Sequence, residues 1–152
     1  MRRDSRLSVV LHLLLHMTEL EGPVTSETLG PLMNMNPVLV RRMLGGLRDA
    51  GIVSAEKGHG GGWALARPLD RVTLAEVYRA LGSPTLFGIG PQRENPRCLV
   101  EQAVNRSLGK ALHDAEALLL AELERTTVAA IARNVSQHHP PHSKPKRGNV
   151  HA

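Results

Sequence analysis

The chain has 152 residues, 41% of them apolar, and a formal net charge of +5 at pH 7. This length fits one domain, or a small domain with an extension for oligomerisation. The single cysteine excludes an internal disulfide framework, and no apolar stretch is long enough for a transmembrane helix. Residues 137–152 carry +3 of the net charge through Lys144, Lys146 and Arg147, so the overall charge does not by itself indicate a nucleic-acid partner.

The N-terminal segment predicts an amphipathic helix that Ser5 can cap and that runs to about Leu20. Its predicted buried stripe comprises Leu7, Val10, Leu11, Leu14 and Met17. Asp4 and two histidines near or within the apolar run argue against a signal peptide, so we expect a cytoplasmic protein. These histidines, His12 and His16, are four residues apart and could share a metal ion. No third ligand is evident nearby, so solvated or interface histidines are the favoured interpretation.

Two helices joined by a tight turn follow. Gly22 and Pro23 end the N-terminal helix described above. Thr25 or Ser26 can then cap a short second helix. Glu27 lies in the first turn of that helix, where the helix dipole favours an acid. Residues 34–36 form a turn before a third helix. This layout predicts a helix-turn-helix.

The third helix has two chemically different faces. Asn36 suits its N-cap, and Pro37 suits the first helical position. The predicted inward stripe consists of Val40, Met43, Leu44 and Leu47. On a period of about 3.6 residues per turn, the side chains away from that stripe are Val38, Arg42 and Gly45, with Arg41 on the flank. The outward face is therefore cationic and short-chained.

Gly45 and Gly46 are unusual inside a helix, because each costs about 1 kcal/mol relative to alanine. They could allow close approach to DNA or to the first helix. Alternatively, they are a tolerated weakness in an otherwise stable element. The sequence leaves both interpretations open.

A glycine-rich hairpin follows the third helix. Ile52 and Val53 predict a short strand, and residues 63–65 its partner. Between them lie Lys57, Gly58, His59, Gly60, Gly61 and Gly62, and the glycines permit unusual backbone conformations or close approach to another molecule. A basic helix followed by such a hairpin is typical of a winged helix-turn-helix. The alternative is an ordinary helix and hairpin packed within a globular domain.

The chain resembles the Rrf-type (BadM/Rrf) winged-helix transcriptional regulators of bacteria over roughly residues 5–135. The resemblance rests on the runs NPVLVRRMLGGLRDAGIV, KGHGGGWALARPLDRVTLAEVYRAL and NPRCLVEQAVNRSL, of which GGGWALARP after AGIV is the most specific. It implies a dimeric DNA-binding repressor or activator, often tuned by a redox or iron–sulfur signal. Cluster-binding members place three cysteines near the loop before the last helices. This chain has only Cys98, and one thiolate is too few for such a cluster, so we expect no cofactor.

Thr73 and Glu76 predict a capping box for a fourth helix. Residues 82–97 are rich in glycine and proline and predict a long loop, either functional or a plain linker. Cys98 follows near the start of the next helix, close to two arginines, and such a thiol should be more reactive than a free one. Cys98 is therefore a candidate redox sensor, and the alternative is a buried, inert thiol.

The segment from Leu99 to about Arg125 predicts helix, with residues 105–109 marking a break or bend between a short helix and a longer one. Its apolar stripe needs a partner, which favours a homodimer, although the helix could instead fold back onto its own domain. The residues expected at the dimer interface are Leu108, Leu112, Ala115 and Leu119. Thr126 or Thr127 caps a last short helix, which by the resemblance packs on the first helix or on the partner.

These elements predict a mainly α fold with a small β-wing, composed of a winged helix-turn-helix domain and a C-terminal helical dimerisation segment. The predicted DNA-binding domain is 1–82, and 83–97 is a loop or linker. The dimerisation segment is 98–135. A basic tail rich in histidine and proline, 136–152, is expected to be disordered.

The predicted function is a sequence-specific transcriptional regulator, expected to be a repressor, that binds a palindromic operator in double-stranded DNA as a homodimer and has no membrane partner. Arg42 is expected to read a base and Val38 to touch a thymine methyl group. The full set of candidate DNA contacts is Asn36, Val38, Arg41, Arg42, Lys57, His59, Gly60 and Gly61. The alternatives are a protein-interaction module and a regulator that answers to a small ligand. No nucleophile–base grouping or phosphate-binding loop indicates an enzyme.

Overall fold

The structure is a computed structural model that describes residues 4–90 and 97–138. The elements within these ranges, in chain order, are α1 (Arg6–Met17), α2 (Ser26–Leu32), α3 (Pro37–Asp49), β1 (Val53–Glu56), β2 (Gly62–Leu65), a short 3₁₀ turn (Leu69–Arg71), α4 (Leu74–Ala80), α5 (Leu99–Arg125) and α6 (Val128–His138). The two strands pair in an antiparallel hairpin. The predicted fold class, mainly α with a small β-wing, is confirmed. No helix in the described ranges is long and apolar enough to cross a membrane.

Helix α1 begins and ends differently from the prediction. The Ser5 side chain makes no capping hydrogen bond, and Asp4 Oδ1 instead accepts a 3.0 Å hydrogen bond from the Arg6 backbone N–H. The helix ends at Met17, before the predicted end near Leu20. Its buried residues are Val10, Leu13, Leu14 and Met17, so the predicted stripe omitted Leu13.

The helix-turn-helix is capped as the sequence predicts. Thr25 Oγ1 accepts a hydrogen bond of 3.2 Å from the Thr28 backbone N–H at the start of α2. Asn36 Oδ1 accepts one of 2.8 Å from the Val38 N–H at the start of α3. Helix α3 buries Val40, Leu44 and Leu47 in the core, with Met43 packed against it.

The two glycines of α3 have different surroundings. A methyl group placed on Gly46 would lie 2.5 Å from the carbonyl oxygen of Ala80 in α4, so the absence of a side chain lets α3 and α4 approach each other. A methyl group on Gly45 would meet no atom within 4 Å. Gly46 therefore allows close packing of α3 against α4, a contact that the sequence analysis did not predict. Gly45 makes no such contact among the described residues.

Helix α4 begins with the predicted capping box. The Glu76 carboxylate accepts a 2.9 Å hydrogen bond from the Thr73 N–H, and Thr73 Oγ1 accepts one of 3.2 Å from the Glu76 N–H. The Arg67 guanidinium also donates to Glu76 at 2.7 Å. The backbone N–H of Thr73 and this guanidinium hold the pKa of Glu76 below its usual range.

Helix α6 packs into the same hydrophobic core as α1 and α3. Val128 is fully buried with the residues of α1 and α3, and its N–H donates to the Val72 carbonyl at 2.9 Å. The Leu74 N–H donates to the Thr126 carbonyl, also at 2.9 Å. The helix extends to His138, beyond the predicted segment boundary at 135, so residues 136–138 of the predicted disordered tail are helical. Residues 139–152 lie outside the described ranges.

Helix α5 is continuous from Leu99 to Arg125, so the predicted break within residues 105–109 is wrong. No residue of α5 is buried in the single chain. Its C-terminal end contacts α4, where Glu124 accepts a hydrogen bond from Arg79 and a 3.4 Å hydrogen bond from Thr73 Oγ1. The helix is therefore held to the domain at one end.

We expect Gly46→Ala to lower the free energy of unfolding by about 1–3 kcal/mol, the usual cost of overpacking. The added methyl group would press on the Ala80 carbonyl, which cannot move without displacing α4. Gly45→Ala is the matched control, and it should stabilise the protein by up to about 1 kcal/mol through helix propensity. Urea denaturation followed by circular dichroism measures both, and equal effects of the two substitutions would contradict the close approach of α3 and α4.

Candidate nucleic-acid interface

The outward face of α3 carries the candidate base-reading residues. Val38 is 63% exposed, and Arg42 is exposed on the same side of the helix one turn later. Leu39, adjacent to them, is also largely exposed. Because the opposite face is buried in the core, α3 presents this outward face, with Arg41 on its flank, to a ligand. This confirms the predicted division of α3 into an inward and an outward face.

The two adjacent arginines of α3 differ in their partners. Arg41 Nη2 lies 2.8 Å from a carboxylate oxygen of Glu27 in α2, and both side chains are more than half exposed. Arg42 has no hydrogen bond or ion pair within the part of the chain that the structure describes. An exposed pair such as Arg41–Glu27 contributes little to stability, so Arg41 can exchange it for a phosphate. Arg42 is free to bind without breaking a contact among the described residues.

The tip of the wing is shaped by its glycines. Gly58 and Gly60 have φ values of 97° and 79°, which other residues rarely adopt. A methyl group on Gly61 would lie 2.4 Å from the carbonyl oxygen of Glu56, so this residue closes the turn. Lys57 and His59 are exposed beside them and available to a ligand.

The base of the wing is attached to the segment before α2, which the sequence did not indicate. Val24 and Trp63 exchange two backbone hydrogen bonds, of 2.9 and 2.8 Å. Gly62 has no room for a side chain, because a methyl group there would lie 2.7–2.9 Å from the backbone of Val24. The buried indole of Trp63 donates a 2.9 Å hydrogen bond to Ser26 Oγ. The sequence signal that could have indicated this attachment is Trp63, because the N–H of a buried tryptophan needs an acceptor elsewhere in the chain.

The candidate redox residue lies at the N-terminus of α5. Cys98 is the N-cap residue of that helix, is partly exposed, and makes no side-chain capping bond. Of the two arginines near Cys98 in sequence, Arg93 and Arg97, the first lies in residues 91–96, outside the described ranges. The sequence therefore placed Cys98 correctly at a helix start.

The candidate dimerisation residues lie along α5. Leu108, Leu112 and Ala115 are partly exposed, and Leu119 is 38% exposed. Other apolar side chains of α5 are more exposed, namely Leu99, Val100, Val104 and Leu118, at 57–77%. Exposed apolar surface on this scale is typical of an interaction face.

Three comparisons with known proteins agree with this geometry. The Rrf2 family, described as iron-dependent transcriptional regulators, matches residues 3–134 of the chain. YwnA of Bacillus subtilis (strain 168), a proposed HTH-type transcriptional regulator, is 30% identical over 120 residues, which cover 79% of this chain and 89% of YwnA.

Two solved structures are also similar. A proposed transcriptional regulator from Lactobacillus plantarum has a TM-score of 0.74 at 22% identity, covering 88% of this chain and 91% of that chain. A proposed DNA-binding protein has a TM-score of 0.67 at 27% identity, covering 84% of this chain and 99% of that one. These likenesses confirm the winged helix-turn-helix fold.

The family description implies iron. Whether this chain can bind an iron–sulfur cluster depends on which metal-ligating side chains it has. Cys98 is the single cysteine of the sequence, whereas an iron–sulfur cluster is usually held by several thiolates. Within residues 4–90 and 97–138, no group of three or more His, Cys, Asp or Glu side chains could hold a metal ion. The residues present therefore do not fit a thiolate-ligated cluster.

We expect Glu27→Gln to raise the affinity for non-specific DNA and to steepen its salt dependence by about one phosphate contact. The substitution removes the acid that holds the Arg41 guanidinium. Asp49→Asn is the matched control, because Asp49 pairs with Arg48 at the far end of α3 and its loss changes the net charge equally. Binding to random duplex DNA across a salt series measures both. If Glu27→Gln and Asp49→Asn raise the affinity for DNA equally, the increase comes from net charge and not from release of Arg41.

Proposed function

The chain belongs to the Rrf2 family of transcriptional regulators, and from this membership we propose that it binds a palindromic operator as a homodimer and represses transcription. The observation that carries the proposal is the outward face of α3, where Arg42 is exposed and has no partner among the described residues. Lys57 and His59, exposed on the wing, add cationic or hydrogen-bonding groups.

In this proposal α3 enters the major groove and the wing follows the backbone or the minor groove. The Arg42 guanidinium reads guanine through two parallel hydrogen bonds, and Val38 packs against a thymine methyl group. Arg41, released from Glu27, and Lys57 bind phosphates, which set register without reading sequence. Asn36 caps α3 by accepting the Val38 N–H at Oδ1 and lies at the helix end that enters the groove, where its side-chain amide can donate to a phosphate.

The homodimer is supported by helix α5, which has no buried residue in the single chain. Pairing two copies through Leu108, Leu112, Ala115 and Leu119 would remove an apolar face from water. A two-fold dimer would present two α3 helices about 34 Å apart, one turn of DNA, and so match a palindromic site. A dimer bound across a promoter excludes other proteins from it, which is why we propose repression.

Arg42→Ala should weaken operator binding by about 1–3 kcal/mol and relax specificity at one base position, because the contact to a base edge is lost. The measurement is binding of the full-length protein to the promoter region of its own gene and to random DNA, across a salt series. The specific complex should contain two chains by sedimentation. Arg48→Ala is the control, since Arg48 lies at the other end of α3 and already pairs with Asp49.

Three other outcomes would count against parts of the proposal. An equal loss on every DNA sequence would make Arg42 a phosphate contact. A specific complex with one chain would contradict the dimer. Wild-type protein that shows no preference for any promoter fragment over random DNA would contradict the regulator and favour a protein-interaction module.

We also propose that Cys98 makes operator binding responsive to peroxide. Its thiolate would attack the peroxide O–O bond, forming sulfenic acid and releasing hydroxide, and a thiol reductant would reverse the change. Two observations support this proposal: the side chain is partly exposed, and it lies at the start of the proposed dimerisation helix. A new polar group there would disturb the apolar face that follows.

Cys98→Ser should bind the operator like the reduced wild-type protein and lose any response to peroxide. The measurement is operator affinity before peroxide, after peroxide, and after added reductant. If the serine variant still responds, the signal does not pass through the thiol.

A small ligand is the second candidate signal, and one cavity favours it. A cavity of about 1040 Å³ lies beneath the loop that precedes Cys98, and Arg6, Tyr78 and Phe87 are among the residues that line it. This cavity has room for a small organic molecule. Operator binding that is indifferent to peroxide would direct the search to this cavity.

A further inference from the structure

The two histidines of α1 converge on one point. The Nε2 atoms of His12 and His16 lie 2.9 Å apart, and the ring centroids are separated by 4.6 Å. His12 is exposed, and His16 is about one-third exposed, so water reaches the space beside both nitrogens. A histidine pair on the solvent side of a helix contributes nothing to the core. The two nitrogens are at hydrogen-bond distance, so one ring donates to the other in the metal-free protein. When that shared proton is lost, the same spacing directs two lone pairs at one point.

We propose that His12 and His16 form a two-histidine site for a divalent transition-metal ion of the copper and nickel class. Imidazole nitrogen is a common ligand for both metals. Residues four apart on a helix face the same side, so two histidines at this spacing can hold one ion between them. The described residues supply two protein ligands at this position, and water occupies the other coordination positions.

The separation of the two nitrogens is compatible with two adjacent coordination positions of one ion. With metal–nitrogen bonds of about 2.05 Å, nitrogens 2.9 Å apart subtend an angle of about 90° at the ion. Adjacent positions of a square-planar or octahedral ion have this angle, and Cu²⁺ and Ni²⁺ prefer such geometry. Tetrahedral Zn²⁺ sites usually have three or four protein ligands, and the described residues supply two here, so the site favours Cu²⁺ or Ni²⁺ over Zn²⁺.

The carboxylate of Glu19 lies near the second ring nitrogen of His16. Glu19 Oε2 lies 3.5 Å from Nδ1 of His16, on the opposite side of the ring from the Nε2 that faces His12. A carboxylate in this place favours a proton on Nδ1, which leaves the lone pair of Nε2 for a metal. Ligating histidines in proteins commonly have such a partner on the second nitrogen.

The site exists only while α1 is helical, because an unfolded chain does not hold the two rings together. Binding would therefore stabilise the folded protein as the metal concentration rises above the dissociation constant. Helix α1 packs against α4 and α6, so this stabilisation extends to the DNA-binding domain.

The test uses the full-length chain carrying His138→Gln, His139→Gln and His142→Gln, which removes other clustered histidines from competition. In this background we titrate NiCl₂ by calorimetry and measure melting temperature with and without the metal. Electron paramagnetic resonance with one equivalent of CuSO₄ reports the nitrogens bound to copper. The site variants are His12→Gln and His16→Gln, Glu19→Gln probes the supporting carboxylate, and His113→Gln on α5 is the control.

We expect one Ni²⁺ per chain, a higher melting temperature with metal, and a copper spectrum with two coupled imidazole nitrogens. Each site variant should lose the binding event while melting like its parent without metal. Glu19→Gln should bind about tenfold more weakly, and His113→Gln should bind like the parent. The proposal is overturned if His12→Gln or His16→Gln retains the binding event, or if the background protein binds no metal. Operator binding tests the proposed function separately, because metal binding does not depend on it.

Discussion

The position of the wing depends on a short backbone pairing between β2 and the segment before α2. Val24 and Trp63 exchange both of their hydrogen bonds, and Gly62 allows the two backbones to come this close. The Trp63 indole then fixes the pairing by donating to the buried Ser26 at the start of α2. Strand β1 is held from the other side, since the Ile52 N–H donates to the Leu47 carbonyl at the end of α3. The helix proposed to enter a groove and the wing are therefore fixed relative to each other. Contact with two parts of a duplex requires this rigidity.

Among the three arginines of α3, the one proposed to read a base is the one that has no acidic partner among the described residues. Arg41 and Arg48 each pair with a carboxylate of the chain, whereas Arg42 pairs with none within the described residues. A paired arginine loses part of its attraction for phosphate, which reduces binding to DNA of any sequence. An unpaired arginine on the exposed face keeps its full hydrogen-bonding capacity for a base. In the proposed complex, local charge placement, and not the net charge of +5, would favour specific over non-specific binding.

Much of the fold could be predicted because its signals are local. The caps at Thr25, Asn36 and Thr73 depend on residues two or three positions away, and the inward face of α3 follows from helical periodicity. The errors and omissions concern contacts between distant parts of the chain. Gly46 could not be assigned to α4, because Ala80 lies far along the sequence. The Val24–Trp63 pairing depends on tertiary packing in the same way. The packing of α6 on α1, which buries Val128, was expected from the family resemblance alone and is confirmed.

The arrangement of α5 limits how a signal at Cys98 can reach the DNA-binding face. The far end of α5 is tied to α4 through Arg79 and Glu124, and α4 in turn touches α3 where Ala80 meets Gly46. Cys98 lies at the other end of α5, before the exposed residues Leu99 and Val100. A chemical change there acts first on the face proposed to bind a second copy. In such a dimer, the change would alter the spacing of the two α3 helices before it altered the fold of either chain. Because a palindromic site is read by two helices about one DNA turn apart, a change in their spacing is sufficient to weaken specific binding while each domain remains folded.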